Sequence, residues 1–241
     1  MKRYIIVGLL VLLVVFVSLA PASLLKGPLS QAPGLRVSGL SGTLWSGSGY
    51  VTVQGQELGR LNWSFDPAQL LSARAALRYM LMGPAIEVRG IAGRSISTWQ
   101  LSADGQVGAE LVNQALAPYE IRMTGDLTLD GVEVALAGRV PEELRGQVLW
   151  PGGPVSYPDV RGIATRPLPP LRADLSLDDQ NQALASVHSE SINFPLITMR
   201  ALNTGFAKIS LTRRFTQIVG MPWPGSEPDH AFVLEVEQQV F

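Results

Sequence analysis

The stretch Leu61-Asn62-Trp63-Ser64-Phe65 alternates between large apolar and small polar side chains. A period of two is typical of a β-strand that packs one face on a core and turns the other toward water. The same alternation returns in Leu127–Leu129, Val132–Leu136, Leu171–Leu177 and Phe232–Val236. Many short strands at this spacing favour a meander or sandwich over strand–helix–strand units. We therefore expect a mainly β chain with a curved antiparallel sheet.

Turn-forming residues separate the alternating runs. Asp130-Gly131 lies between two such runs, and Asp-Gly at that place predicts a two-residue hairpin turn. The acidic segment Asp178–Asn181 lacks the sixth-position glycine and the closing glutamate of an EF-hand calcium loop. We interpret it as a turn.

Helices are expected to be few and short. Asp66 is followed by Pro67 and Gln69, the order of an N-cap, a first and a third helical residue, which predicts about two helical turns. A second short helix is predicted over residues 108–116, and a single turn over residues 214–219.

The N-terminus carries an apolar run. Tyr4–Ala20 has no charged side chain and the run continues to Leu25, which as a helix of about 33 Å would cross a hydrocarbon core of ~30 Å. Lys2 and Arg3 precede it, so the positive-inside rule predicts a cytoplasmic tail of residues 1–3, a transmembrane signal-anchor helix of residues 4–25 and an external β-rich domain of residues 26–241. The alternative is a cleaved signal peptide, because Ala20-Pro21-Ala22 has the small-x-small pattern that precedes a cleavage site.

Composition excludes several classes of function. The chain has no cysteine, which excludes disulfide scaffolds, iron–sulfur clusters and thiol catalysis. Its net charge of −1 argues against sequence-independent binding of nucleic acid. It contains neither a phosphate-binding loop nor a nucleophile elbow, and His188 and His230 lie in no metal-ligand pattern. We assign no catalytic, metal-binding or cofactor-binding residue.

Two segments of the chain resemble each other. Leu40–Val51 and Leu144–Val155 both contain Leu-x-Gly followed by Leu-Trp-x-Gly. This echo predicts two similar halves, residues 35–140 and 141–241, with chance repetition in a glycine-rich chain as the alternative. Trp45, Trp63 and Trp150 are expected to anchor the core, because a neighbouring glycine leaves room for a large ring.

The segment Gly39–Gly47, GLSGTLWSG, follows the apolar run closely and precedes the Trp63 strand. This arrangement resembles the type II secretion system protein N family (general secretion pathway protein N), whose members carry Gly-Thr-Leu-Trp-x-Gly early in a β-rich domain behind a single membrane anchor. The later segment Gly146–Gly153 is similar to that family too. The residues that carry the resemblance are Gly39, Gly42, Thr43, Leu44, Trp45, Gly47, Trp63, Pro67, Gly146, Trp150, Gly152 and Gly153.

The resemblance implies a non-enzymatic component of the machinery that exports folded proteins through an outer-membrane secretin. It implies a single-pass protein of the bacterial inner membrane with a cytoplasmic N-terminus and a periplasmic domain. The implied partners are the inner membrane and other type II secretion components, in the inner-membrane platform or the secretin; no cofactor and no nucleic acid are implied. Edge strands are the expected docking surfaces.

The residues themselves leave a second function open. Ala73–Met82 carries apolar side chains on both faces of a predicted strand. Such a strand is commonly buried on both sides, but it also fits a periplasmic carrier or bridge for lipid or another apolar ligand.

Overall fold

The computed structural model describes residues 20–25, 34–138, 140–159, 162–202, 205–221 and 223–239. Contacts within the chain divide it into two compact units, with the boundary between Ser95 and Ile96. Residues 1–19, which contain most of the predicted transmembrane run, lie outside the described residues. Within the described ranges, no helix is long and apolar enough to cross a membrane.

Unit 1 is an antiparallel meander in which each strand pairs with the next one along the chain. Its strands are β1 (Leu35–Gly42), β2 (Ser46–Val53), β3 (Gln56–Phe65), β4 (Ala75–Gly83) and β5 (Ile86–Arg94). Short 3₁₀ turns cover Ala22–Leu25 and Pro67–Ser72.

The register of unit 1 gathers the apolar positions on one face. Trp63 lies opposite Gly47 on one side and Tyr79 on the other, and directly opposed residues of antiparallel strands share a face. Trp63 is only 6% exposed. A Cβ on Gly47 would lie 2.5 Å from Cζ2 of Trp63, so the indole ring occupies the space that a side chain there would need. The strand predicted at residues 61–65 is confirmed.

The three tryptophans expected in the core differ in burial. Trp63 and Trp150 are buried, as predicted. Trp45 is only half-buried, because it lies in the connection between β1 and β2 rather than within a strand. Its ring meets the ring of Phe65 edge-on, with 5.1 Å between centroids.

Unit 2 has two antiparallel sheets within its described residues. Its strands are β6 (Thr98–Val107), β7 (Arg122–Met123), β8 (Leu127–Ala137), β9 (Val140–Trp150), β10 (Gly153–Asp159), β11 (Gly162–Leu168), β12 (Leu171–Leu177), β13 (Ala183–Ser189), β14 (Ile197–Ala201), β15 (Phe206–Thr212) and β16 (Phe232–Gln239). The larger sheet has the order β6-β8-β9-β12-β13-β14-β15-β16, and the smaller one the order β11-β10-β7.

The helices of unit 2 are α1 (Ala109–Leu116), followed by the 3₁₀ turn Ala117–Tyr119, and α2 (Arg213–Ile218). These confirm the helix predicted over residues 108–116 and the turn predicted over residues 214–219. The helix predicted after Asp66 is a 3₁₀ turn, which ends where Ala73 adopts a left-handed conformation with φ +52°. The expectation of a mainly β, antiparallel chain with few short helices is confirmed.

The hairpin predicted at Asp130-Gly131 is wrong. β8 continues through this dipeptide, and its register with β9 shifts between Asp130 and Glu133. Gly131 has φ +56°, and its N–H donates to Oδ1 of Asp104 at 2.8 Å. The dipeptide therefore forms a β-bulge, which requires the same positive φ as a tight turn but does not reverse the chain.

The turn predicted at Asp178–Asn181 is confirmed. It connects β12 and β13, and the Asp178 side chain accepts hydrogen bonds from the N–H groups of Gln180 and Gln182, each at 2.9 Å. These bonds, with Arg200 at 2.9 Å, lower the pKa of Asp178.

The buried indole of Trp63 gives the first stability prediction. Replacing Trp63 by Ala leaves a cavity against Gly47, so we expect Trp63→Ala to lower the free energy of unfolding by about 3–5 kcal/mol. Trp99→Ala, at a position 52% exposed, should lower it by about 1 kcal/mol or less. Denaturant unfolding of both variants measures the difference. Equal losses would contradict the assignment of Trp63 to the core.

Candidate functional site

The β1–β2 loop contains the Gly-Thr-Leu-Trp segment and is held by its own hydrogen bonds. Oγ1 of Thr43 accepts from the N–H groups of Trp45 at 3.2 Å and Ser46 at 3.1 Å. The N–H of Thr43 donates to the carbonyl of Ser46 at 2.8 Å. A threonine hydroxyl that satisfies local backbone donors stabilises a tight turn. We call residues 42–46 the motif loop.

A buried side chain in the core of unit 1 is hydrogen-bonded to the motif loop. Nε1 of Trp63 donates to the carbonyls of Thr43 and Leu44, both at 3.2 Å. A buried indole N–H needs an acceptor, and here the acceptors belong to the loop. The same side chain therefore fills the core and fixes the loop.

The end of the predicted apolar run packs on the motif loop. The N–H of Leu44 donates to the carbonyl of Ala20 at 2.9 Å, and Pro21 forms a β-bridge with Thr43. The Ala22 side chain is buried. Ala22–Leu25 is a 3₁₀ turn, so these last residues of the run belong structurally to unit 1.

The connection from β3 to β4 is centred on a buried carboxylate. Asp66 is 4% exposed and accepts from the N–H of Ala68 at 3.2 Å, as predicted for an N-cap. Its two carboxylate oxygens also accept from Nε and Nη2 of Arg78 at 3.0 and 2.9 Å. The Arg78 guanidinium is the main cause of a lowered pKa for Asp66. The sequence does not predict Arg78 as the partner of Asp66, because cross-strand register brings the two side chains together.

The pair between Asp66 and Arg78 predicts acid sensitivity. The pKa of Asp66 in the folded state lies below its ordinary value of 3.8. Its contribution to stability is therefore present above that value and is lost as the pH falls through the lower folded pKa. We expect Asp66→Asn to destabilise the protein at neutral pH, and this difference from the wild type to shrink between about pH 5 and pH 2.5. Denaturant unfolding across that range tests it, and a difference that stays constant would contradict it.

In unit 2 the tryptophan of the second Leu-Trp segment also donates its indole N–H to a backbone carbonyl. Nε1 of Trp150 donates to the carbonyl of Thr124 at 2.7 Å. Gly152 and Gly153 lie where the chain passes from β9 to β10, and Gly146 lies in β9 against the bulge of β8. The sequence echo aligns Trp150 with Trp45, but the tryptophan that plays the matching role in unit 1 is Trp63.

Two of the residues that carry the family resemblance, Gly39 and Pro67, lie outside the hydrogen bonds of the two tryptophans. Gly39 lies in β1, where a Cβ would lie 3.2 Å from Cδ2 of Tyr50. Pro67 is the first residue of its 3₁₀ turn.

A cavity of about 1060 Å³ opens on the polar face of the larger sheet in unit 2. Its floor is a row of side chains that lie opposite one another across five strands: Gln106, Thr128, Leu149, Arg172 and His188. The sequence does not predict this row, because only the register between strands brings these residues together.

The charges of this cavity partly compensate one another. Asp174, on the neighbouring row, lies 3.1 Å from Nε of Arg172 and 3.7 Å from Nε2 of His188. His230 lies elsewhere, edge-on to Phe194 with 6.0 Å between ring centroids. No group of three or more His, Cys, Asp and Glu side chains in the described part of the chain could hold a metal ion.

β16 is the terminal strand of the larger sheet and pairs with β15. Two alternating residues on one of its faces, Leu234 and Val236, are 40% and 47% exposed. The register with β15 shifts between Leu211 and Thr212, so Phe232 lies opposite Thr212 and not on that face. On the other face Glu235 lies 2.8 Å from Nζ of Lys208 and accepts a hydrogen bond from Ser210, and Lys208 is the main cause of a lowered pKa for Glu235. We call Leu234 and Val236 the apolar row.

Comparison with known proteins identifies the family. The family model described as type II secretion system (T2SS), protein N matches residues 33–203. The chain belongs to this family. The match confirms the resemblance noted in the sequence, and it covers the strands of unit 1, the second Leu-Trp segment and the strands of unit 2 up to β14. The matched region ends before β15, α2 and β16.

A curated relative agrees with this family. Type II secretion system protein N of Vibrio cholerae (serotype O1, strain ATCC 39315 / El Tor Inaba N16961) is 26% identical to the chain over 170 residues. The aligned region covers 66% of each protein, so the chain spans about two thirds of that relative's length. No solved structure matches the chain.

Proposed function

We propose that this protein is a non-enzymatic component of the type II secretion machinery, and that it supports the export of folded proteins through the outer-membrane secretin by contacts with other components. Membership of the protein N family supports a role in the type II secretion system. The observation that carries the mechanism is the edge strand β16 with its exposed apolar row. The inner-membrane platform and the secretin are the candidate partners.

In this proposal the part of the apolar run that precedes Ala20 holds the chain in the inner membrane as a single span, with the N-terminus in the cytoplasm and the described residues in the periplasm. Lys2 and Arg3 before the run support that orientation. The contacts of the motif loop support an uncleaved anchor. Cleavage after Ala22 would remove the Ala20 carbonyl that accepts from Leu44, and it would also remove Pro21 with its bridge to Thr43.

Strand addition is the docking mode that β16 suits. An edge strand offers backbone donors and acceptors along one side, and alternate side chains give specificity. Here one face offers the apolar row and the other offers Glu235 and Glu237. A partner strand that alternates apolar and basic side chains would complement both faces.

The double substitution Leu234→Lys with Val236→Lys tests this docking mode. Both side chains are well exposed, so the free energy of unfolding should change by about 1 kcal/mol or less, whereas two charges in the apolar row should oppose docking. We expect export to fall at least fivefold at normal protein abundance. The measurement is secreted substrate in the medium, with protein level followed by immunoblot.

Two controls make the result specific. Val140→Lys introduces one lysine at an exposed position of β9 and should leave export near wild type. His188→Ala removes the imidazole from the polar cavity and should also leave export unchanged. Loss of export in His188→Ala at normal abundance would contradict the non-enzymatic proposal.

The apolar row could also contact a lipid in the alternative function, a carrier or bridge for an apolar ligand. It lies on the apolar face of the larger sheet, where Leu234 is opposite Leu211 and Leu211 is opposite Ile197. Native mass spectrometry of the purified full chain distinguishes the two functions. A stoichiometric phospholipid that is lost in the double-lysine variant would favour the carrier over the docking strand.

A further inference from the structure

One end of unit 1 carries exposed leucines beside the motif loop. In the meander, β1, β3 and β5 end there, and β2 and β4 begin there. The 3₁₀ turn Pro67–Ser72 therefore lies at the same end as the motif loop, and the hydrogen bond from the N–H of Phe65 to the carbonyl of Trp45, at 2.5 Å, joins them. This turn exposes Leu70 by 55% and Leu71 by 94%. We call Leu70 and Leu71 the leucine turn.

The same end is cationic. Residues 42–46, 65–78 and 90–95, which form it, contain three arginines and one acidic residue. The arginines are Arg74, Arg78 and Arg94. The acidic residue is Asp66, which is buried and paired with Arg78. The end therefore presents positive charge around two exposed apolar side chains.

This charge is a property of unit 1 rather than of the whole chain. Residues 34–95 contain six arginines against three acidic residues, whereas residues 96–241 contain ten basic against seventeen acidic residues. An anionic surface would thus attract unit 1 and repel unit 2.

The end of the apolar run identifies what this surface faces. Ala20–Ala22 packs on the motif loop at this end, and Leu24, in the following turn, is 59% exposed. Residues 4–19, which lead into it, carry no charged side chain. If that run enters a bilayer, the end of unit 1 that holds its last residues must lie next to the bilayer.

We propose that this end of unit 1 rests on an anionic phospholipid bilayer, with the leucine turn inserted among the headgroups and Arg74, Arg78 and Arg94 facing the phosphates. Exposed leucines with flanking cations suit this interfacial layer, where apolar insertion and attraction to anionic lipid add together. The inference rests on the anchored topology of the proposed function. The proposed contact is a second attachment to the membrane, and it would fix the direction of the unit 1 strands relative to the bilayer.

The absence of cysteine from the chain allows a direct test with single-cysteine variants. Leu71→Cys places a bimane label on the leucine turn. Met82→Cys is the matched control: Met82 is 48% exposed and lies near the other end of β4, about 23 Å along the strand from Ala75. The full chain is reconstituted in nanodiscs of phosphatidylethanolamine and phosphatidylglycerol that contain lipids with a nitroxide on the headgroup.

We expect the nitroxide to quench the Leu71→Cys label at least threefold more than the Met82→Cys label. Replacing phosphatidylglycerol by phosphatidylcholine should reduce that quenching at least twofold. Arg74→Glu should do the same, whereas Arg36→Glu, at the opposite end of unit 1, should not.

Two results would overturn the inference, and they are distinguishable. Equal quenching of both labels in chains that have entered the nanodiscs would refute the second contact while leaving the anchor and the secretion role intact. A full chain that does not enter the nanodiscs would refute the anchored topology and this inference with it.

Discussion

The buried indole N–H of Trp63 determines how unit 1 is assembled. Once the ring is in the core, its donor must find an acceptor, and the carbonyls of Thr43 and Leu44 supply it. Gly47 leaves the space that the ring needs. Leu44 in turn donates to Ala20. One side chain thus connects the core of unit 1 to the end of the apolar run through the Gly-Thr-Leu-Trp segment.

The two units present different chemistry to their surroundings. Unit 1 gathers positive charge and exposed leucines where the chain comes from the apolar run. Unit 2 is acidic and ends in a strand with an exposed apolar row. In unit 2 the bond from Trp150 to Thr124 fixes the passage between two sheets, as Trp63 fixes the motif loop. The membrane contact proposed for unit 1 and the docking strand proposed for unit 2 would suit a component that acts by contact.

The features that the sequence predicted correctly are local ones. Alternation located the strand around Trp63, and the Asp66-Pro67 cap located the turn after it. The Asp130-Gly131 dipeptide wrongly predicted a hairpin, because a β-bulge and a tight hairpin turn both require a residue with positive φ. Cross-strand partners such as Arg78 for Asp66 were not predictable, because register depends on contacts between strands rather than on the pattern within one. For the same reason the echo pointed to Trp45 where the structure uses Trp63.

Amide hydrogen exchange of the full chain carrying Trp63→Phe tests this account most directly. Phenylalanine keeps an aromatic ring in the core but lacks the N–H donor. A lost hydrogen bond of about 1 kcal/mol should speed exchange of the Thr43, Leu44 and Ser46 amides about fivefold through local opening, while the β4 and β5 amides keep their wild-type rates. Unchanged exchange at Leu44 would contradict the claim that the indole holds the motif loop and, through it, the end of the apolar run.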